Sequence, residues 1–540
     1  MDYFLKIGSR NIKYLKIVLS STIYLKDFLK MKSNLSWITL QNFKELGKPK
    51  DFWDYFSEIC KIPRGTGRED QIREFIKKEA DKFGFHAEID KIKNIAVKIP
   101  STNKSLKKQT TIIIQSHMDM VCVKDDNVTH DFSKDPLNLQ LTEIDNEKWI
   151  TAKGTTLGAD NGVGIAYQLT LMKKIHEKVL NYDSTDITLL FTVCEEYTGE
   201  GAIFINKDLL KGDYLINLDS EIDNVFRIGS AGILIYRVGI KMKRISLVEE
   251  KAFLMPVKIS VKGLIGGHSG GDIHTGRANA IKILAQLLWK LNRKYNIYLN
   301  TLKGGSWETA ISKNSEAIIF IENNVYSDIK DLIMEISSNI QQHYDGIEKK
   351  IEISIEELKV FTDYTCFSKE YQNKILNVLY LIPYGPYNYH SKKRDLVHTS
   401  NNIGPIRSMR SRIELDMCYR SFSRYGITLI HEKVISLLDL SGMKYKFYNY
   451  GDGPEWTPDF NSKIINIAKN TYKELFGEDI NINAIHAGLE CAEFKKHNPQ
   501  LELISIGPTI LEAHSTDECL KVSSVLKIWE FLVTFLNKLR

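Results

Sequence analysis

Two periods divide the chain into elements. From Asp51 the apolar positions recur at helical spacing. FWDYFSEICKI reads as one helix and REDQIREFIKKEADKFGF as a second, with Ile72, Phe75 and Ile76 at i, i+3 and i+4. Gly84 is placed to cap the second helix, and Pro63–Gly67 supplies the turn between them. The period then shortens to that of strands at Ala87–Ile89, Ala96–Ile99 and Thr111–Ile114. The last of these is a β-branched run suited to a strand covered on both faces, and it stops at His117 and Asp119. Asp186–Val193, Asp213–Leu218 and Leu501–Ile506 read as further buried strands.

Between about Ile233 and Tyr450 the character changes. Strands lengthen and alternate (AFLMPVKISVKG, RIELDMCYRSF), with helices such as ANAIKILAQLLWKL and DLIMEISSNIQQ between them. From about Asp452 the α/β style returns, with a helix near Ser462–Phe476 and a strand near Asn481–Ile485. The predicted fold class is therefore α/β: a mostly parallel sheet with helices on both faces, interrupted by an inserted α+β domain. The expected boundaries are an extension over 1–45, a first domain over 46–232 and again over 451–540, and an insert over 233–450. A chain of 540 residues exceeds one ordinary core, which agrees with this division.

Composition narrows the class. Net charge is 73 − 67 = +6 with the basic residues dispersed, which argues against a dedicated nucleic-acid surface. No uncharged apolar run approaches the length of a membrane span. The seven cysteines form no C-x-x-C pair, as in a protein of the reducing cytoplasm. The first 32 residues carry seven Lys or Arg against Asp2 and Asp27, and are readable either as an organelle presequence or as a simple extension.

Chemistry gathers at the strand ends. His117 and Asp119 follow one strand, and Glu195 and Glu196 another. Asp219 follows a third, and His514 lies beyond a fourth, in GPTILEAHSTDE. In open α/β sheets the crevice beyond the carboxyl ends of the strands is where ligands bind. Adjacent carboxylates such as Glu195 and Glu196 are costly there without a cation. The glycine-rich stretch GTTLGADNGVG is neither a dinucleotide fingerprint nor a phosphate loop, and it holds Asp160, which reads as a helix cap or as a ligand. A second such loop, Gly263–Asp272, carries His268, either incidentally on a hinge or for function. Two histidines and three carboxylates suit two divalent ions sharing one carboxylate. Such a pair polarises a carbonyl, activates water and stabilises an oxyanion. Of the two adjacent glutamates, one can bind metal while the other takes the water proton. The expected reaction is metal-assisted hydrolysis of an amide or similar acyl bond.

The segments QSHMDMV, HDFSKDPL, GTTLGADNGVG, EEYTGEGA, INLDSE, GLIGGHSGGDIHTGRANA, HAGLEC and ISIGPTILEAHSTDE, in this order, resemble peptidase D. That is the aminoacyl-histidine (Xaa-His) dipeptidase branch of the dinuclear-zinc exopeptidases, and the resemblance runs from about Asp51 to the end. It implies that Asp160 bridges two zinc ions (cobalt or manganese being alternatives). His117 and Asp219 would complete one site, and Glu196 and His514 the other. It also implies that Asp119 orients His117, that Glu195 is the general base, and that His268 and Arg420 bind substrate. His268 would reach a neighbouring active site or close over its own to stabilise the oxyanion, and Arg420 would pair with the free carboxylate. The insert would serve as lid and dimerisation domain of a homodimer, with hinge motion between domains. Departures are Thr309, where the family usually has Asn, Ile311-Ser312 in place of Ile-Pro, and Glu512-Ala513 before His514. The first puts substrate affinity or specificity in doubt, and none touches a metal ligand. An N-acyl amino acid hydrolase and an inactive metal-binding scaffold are the competing expectations.

Overall fold

The β-branched run before His117 forms the strand Thr110–His117, and its last six residues are all buried. It pairs in parallel with Thr185–Thr192, from Thr110 opposite Thr185 to His117 opposite Thr192. Thr185–Thr192 is flanked on its other side by the antiparallel strand Ile95–Ile99, which forms a hairpin with His86–Ile89. The sheet is thus mixed, with antiparallel strands at one edge. A computed structural model describes residues 38–39, 43–103, 109–144 and 146–540. The N-terminal segment read as a presequence or extension falls largely outside the described residues.

The chain folds into two compact units. The first comprises Met1–Ile205, Ile216–Asn224 and Ile506–Arg540, and the second Asn206–Leu215 and Val225–Ser505. In the first, helix Asp70–Lys82 buries Ile72, Ile76 and Ala80 completely, while Phe75 stays partly exposed. Each buried isoleucine stabilises by roughly 1.5–3 kcal/mol. Gly84 follows the helix at φ +75°, the left-handed conformation that lets the chain turn out of it. Helix Ala159–His176 is buried on nearly every face through Met172, and helix Val522–Lys538 presents Val525, Ile528, Phe531, Leu532 and Phe535 to the core.

The second unit is built on an antiparallel sheet. Its strands run in the order Glu352–Glu357, Leu254–Lys262, Ser315–Glu322, Tyr298–Gly304, Val397–Ser408, Arg412–Ser421, Gly232–Lys241 and Tyr445–Gly453. Helices Ala280–Lys294, Tyr326–His343, Lys369–Leu381 and Arg424–Ser441 contribute apolar residues to its core. The expected insert over 233–450 is shorter than this unit, which runs on to Ser505. Asn481–Ile485 lies parallel to Val225–Ser230, a strand that the expected first domain over 46–232 already includes, and Ser505 pairs with Arg227. The chain rejoins the first unit at Ile506.

Candidate active site

His117 sits where its strand stops. Its Nε2 lies 2.9 Å from Asp160 Oδ1 and 3.3 Å from Asp219 Oδ1. On the far side of Asp160, Oδ2 is 3.1 Å from His514 Nε2, which is also 2.9 Å from Glu196 Oε2. Asp160 therefore stands between two histidines, one on each oxygen, and each histidine has a further carboxylate beside it. Donor atoms of His117, Asp160 and Asp219, and of Asp160, Glu196 and His514, lie within 4.8 Å of one another. A third grouping within the same limit is His117, Glu195 and Glu196. All these residues belong to the first unit.

The donor set fits divalent cations. Glu196 Oε1 is buried with no hydrogen-bond partner, an orphan lone pair facing a cluster of acids. Burial first, and then the neighbouring Asp160 and Glu196 charges, push the Asp219 carboxyl up to about 7 against the pull of His117. Hydrogen bonds to Asp160 and Glu196 push His514 up to about 11. Without a cation, such a cluster compensates its charge with protons.

Each donor is held by its own local structure. Asp219 Oδ1 accepts a 2.6 Å hydrogen bond from Asn161 Nδ2, whose Oδ1 accepts from the Gly164 N–H. Asp160 does not cap the helix it opens: the cap position is Gly158, at φ +65°. A Cβ on Gly158 would lie 2.6 Å from Arg64 Nη2. Asp119 is buried and accepts from Thr66 Oγ1 (2.9 Å) and from the backbone N–H groups of Glu195 (3.0 Å) and Glu196 (3.2 Å). Its Oδ1 is 3.3 Å from His117 Nδ1 but not aligned for a hydrogen bond. It thus fixes the glutamate turn as well as facing His117. The same turn is anchored by Asn94, whose Oδ1 accepts from the Val193 N–H, and by Glu69, whose Oε1 accepts from the Cys194 N–H.

In the second unit, His268 and Arg420 come together. Arg420 is 3% exposed; its Nε donates to Ser269 Oγ at 3.4 Å and its Nη2 is 3.3 Å from His268 Nε2. No carboxylate lies within 4.0 Å of its guanidinium among the described residues. His268 Nδ1 accepts from the N–H groups of Gly271 (2.9 Å) and Gly270 (3.3 Å). Burial, and then Arg420, hold this imidazole down to about 4, so at neutral pH its one proton is on Nε2. With that tautomer, two donor groups, Arg420 Nη2 and His268 Nε2, lie 3.3 Å apart. The glycine-rich loop is packed: a Cβ on Gly270 would come within 2.2 Å of His486 O.

Peptidase family M20/M25/M40 matches residues 113–538. The chain belongs to this family. It is 32% identical over 491 residues to the cytosol non-specific dipeptidase of Escherichia coli (strain K12), spanning 91% of this chain and 98% of that protein. The aminoacylhistidine dipeptidase of Vibrio alginolyticus superposes with a TM-score of 0.81 at 32% identity, over 92% of this chain and 98% of that one. A tripeptidase from Staphylococcus aureus shares the fold, with a TM-score of 0.52 at 15% identity over 92% and 98% of the two chains. The M20 match and the two dipeptidases at 32% identity together bear out the resemblance to the peptidase D branch.

Reading the sequence left four supporting residues of this M20 site without a role: Arg64, Asn94, Asn161 and Glu518. Glu518 is 1% exposed, and its carboxylate accepts from the N–H groups of Leu157, Gly158, Ala159 and Asp160 at 2.7–3.2 Å. The one signal available for it was its place four residues after His514 in STDE, a segment rich enough in polar groups to hide it.

Proposed function

We propose that the protein is a metal-dependent dipeptidase that cleaves Xaa-His and related dipeptides. The observation carrying this reading is Asp160, with one oxygen on each of two histidines and a second carboxylate beside each histidine. His117 and Asp219 would hold one divalent ion and Glu196 and His514 the other, with Asp160 shared. Held there, the ions, zinc as the resemblance implies, would supply carbonyl polarisation and a water of lowered pKa. Assignment of Glu196 rather than Glu195 as ligand is supported by the 2.9 Å approach of Glu196 to His514.

The chain's own residues do the rest. Glu195, its backbone held by Asp119, takes the proton of the attacking water and returns it to the leaving amine. Asp119 keeps His117 and the glutamate turn in register. Neutral His268 offers its Nε2 proton to the developing oxyanion. Arg420, buried and with no carboxylate within 4.0 Å among the described residues, pairs with the substrate's free carboxylate, which restricts the enzyme to short peptides with an open C-terminus. A cytoplasmic homodimer formed through the second unit completes the proposal.

The test is a panel of dipeptides set against N-acyl amino acids, with metal quantified on the same sample. Turnover of Xaa-His dipeptides with about two ions per chain is expected. Preference for acylated amino acids would replace the dipeptidase reading, and metal far below two ions without turnover would favour an inactive scaffold.

A further inference from the structure

Glu518 and Arg64 are a buried acid and a buried base that make no ion pair with each other or with any other side chain within 4.0 Å among the described residues. Each is 1% exposed. Charges so placed are costly unless fully hydrogen-bonded, and these two are bonded to main chain. Glu518 Oε2 accepts from Leu157 N (2.7 Å) and Gly158 N (2.8 Å), and Oε1 from Ala159 N (2.7 Å) and Asp160 N (3.2 Å). Arg64 binds the carbonyls: Nη1 donates to Asp119 O at 2.9 Å and Met118 O at 3.2 Å, and Nη2 donates to Gly158 O.

We propose that Glu518 and Arg64 are positioning residues for the metal centre, acting as a two-sided clamp on the loop that carries Asp160. Glu518 gathers four consecutive N–H groups at the opening of helix Ala159–His176, where a negative charge is favoured. Arg64 joins the same loop, at Gly158, to the segment just past His117. The two bonding sets meet at Gly158, whose N–H goes to Glu518 and whose carbonyl takes Arg64. The backbone of Asp160 is thereby fixed relative to His117 before any ligand atom is considered. This rests on the reading of Asp160 as the shared ligand.

The experiment measures metal affinity by competition with a chromophoric chelator, and the absorption spectrum of the cobalt-loaded protein, for the parent, Asp160→Ala, Glu518→Gln, Glu518→Asp and Arg64→Lys. Circular dichroism and melting curves check that each variant is folded. Glu518→Gln places an amide N–H against two backbone donors, and Arg64→Lys keeps the charge but loses the fork. Residues that orient metal ligands cost roughly 10–100-fold in metal affinity when replaced. A loss in that range with an altered cobalt spectrum is expected for both variants, with Glu518→Asp recovering part of it. Were Glu518 acting through its charge alone, Arg64→Lys would change nothing. Unchanged affinity and spectrum in Glu518→Gln and Arg64→Lys overturn the clamp while leaving the metal site intact. A parent protein that takes up no cobalt, or an Asp160→Ala variant that binds it as the parent does, refutes the metal reading instead. Should Glu518→Gln not fold, Glu518→Asp and Arg64→Lys decide the question by the same criteria.

Discussion

Replacing Arg420 by methionine is predicted to separate stability from function in opposite directions. The guanidinium is 3% exposed, and its polar neighbours are Ser269 Oγ, in a 3.4 Å bond, and His268 Nε2 at 3.3 Å. Burying a cation without a counter-charge costs the resting protein. A substrate carboxylate arriving there gains a charge-assisted bond of roughly 1.5–3 kcal/mol, equivalent to about 10–150-fold in kcat/KM. Arg420→Met should lose that factor for free-acid dipeptides and change turnover of the matching dipeptide amides by less than about threefold. Methionine fills similar space without the charge, so the melting temperature should hold or rise, by about 1–2 °C for each kcal/mol recovered. Steady-state kinetics on acid and amide pairs, with calorimetry on the same preparations, measures both. An acid-to-amide preference that survives the substitution would refute the carboxylate role. A fall in melting temperature beyond about 4 °C would show that the guanidinium supports the fold.

Glu195→Gln should lower kcat by about 10²–10⁴-fold while metal content, measured by elemental analysis, stays at the parental level. Glu512, held at φ +52°, should be replaceable by glycine with a gain of about 0.5–1 kcal/mol, read from denaturant midpoints. His486 is 7% exposed; burial, then Arg420, His398, His274 and His268, hold it down to about 3 against 6.5 unfolded. The unfolded chain therefore binds the proton first, so this stability is full above pH 6.5 and is lost as pH falls. About 2 kcal/mol should disappear between pH 7 and pH 5, and His486→Asn should remove that part of the dependence in denaturation curves.

Much of the catalytic unit was legible because its chemistry lies at the ends of strands. Thr111–Ile114 reads as a buried strand, and His117, three residues on, falls at its carboxyl end, where the structure has the strand stop. The same logic located Glu196 and Asp219. What stayed hidden depends on distant backbone. Glu518 meets Leu157–Asp160 across some 360 residues, and nothing local marks a glutamate that bonds main chain rather than water. The parallel pairing of Asn481–Ile485 on Val225–Ser230 is likewise set by tertiary contacts and leaves no period of its own.

The split of the first unit along the chain also sets an order of assembly. His117, Asp160 and Asp219 are all made within the first half of synthesis, whereas His514 and Glu518 arrive almost last. Domains tend to fold from the N-terminus as the chain emerges. An ion caught early would find three donors, of which Asp160 sits on a loop whose clamp is still missing one side, and would exchange freely. On the proposed ligand set, stable loading would wait until translation is complete, and a chain truncated even 30 residues early would carry most of the donors and is expected to keep no metal.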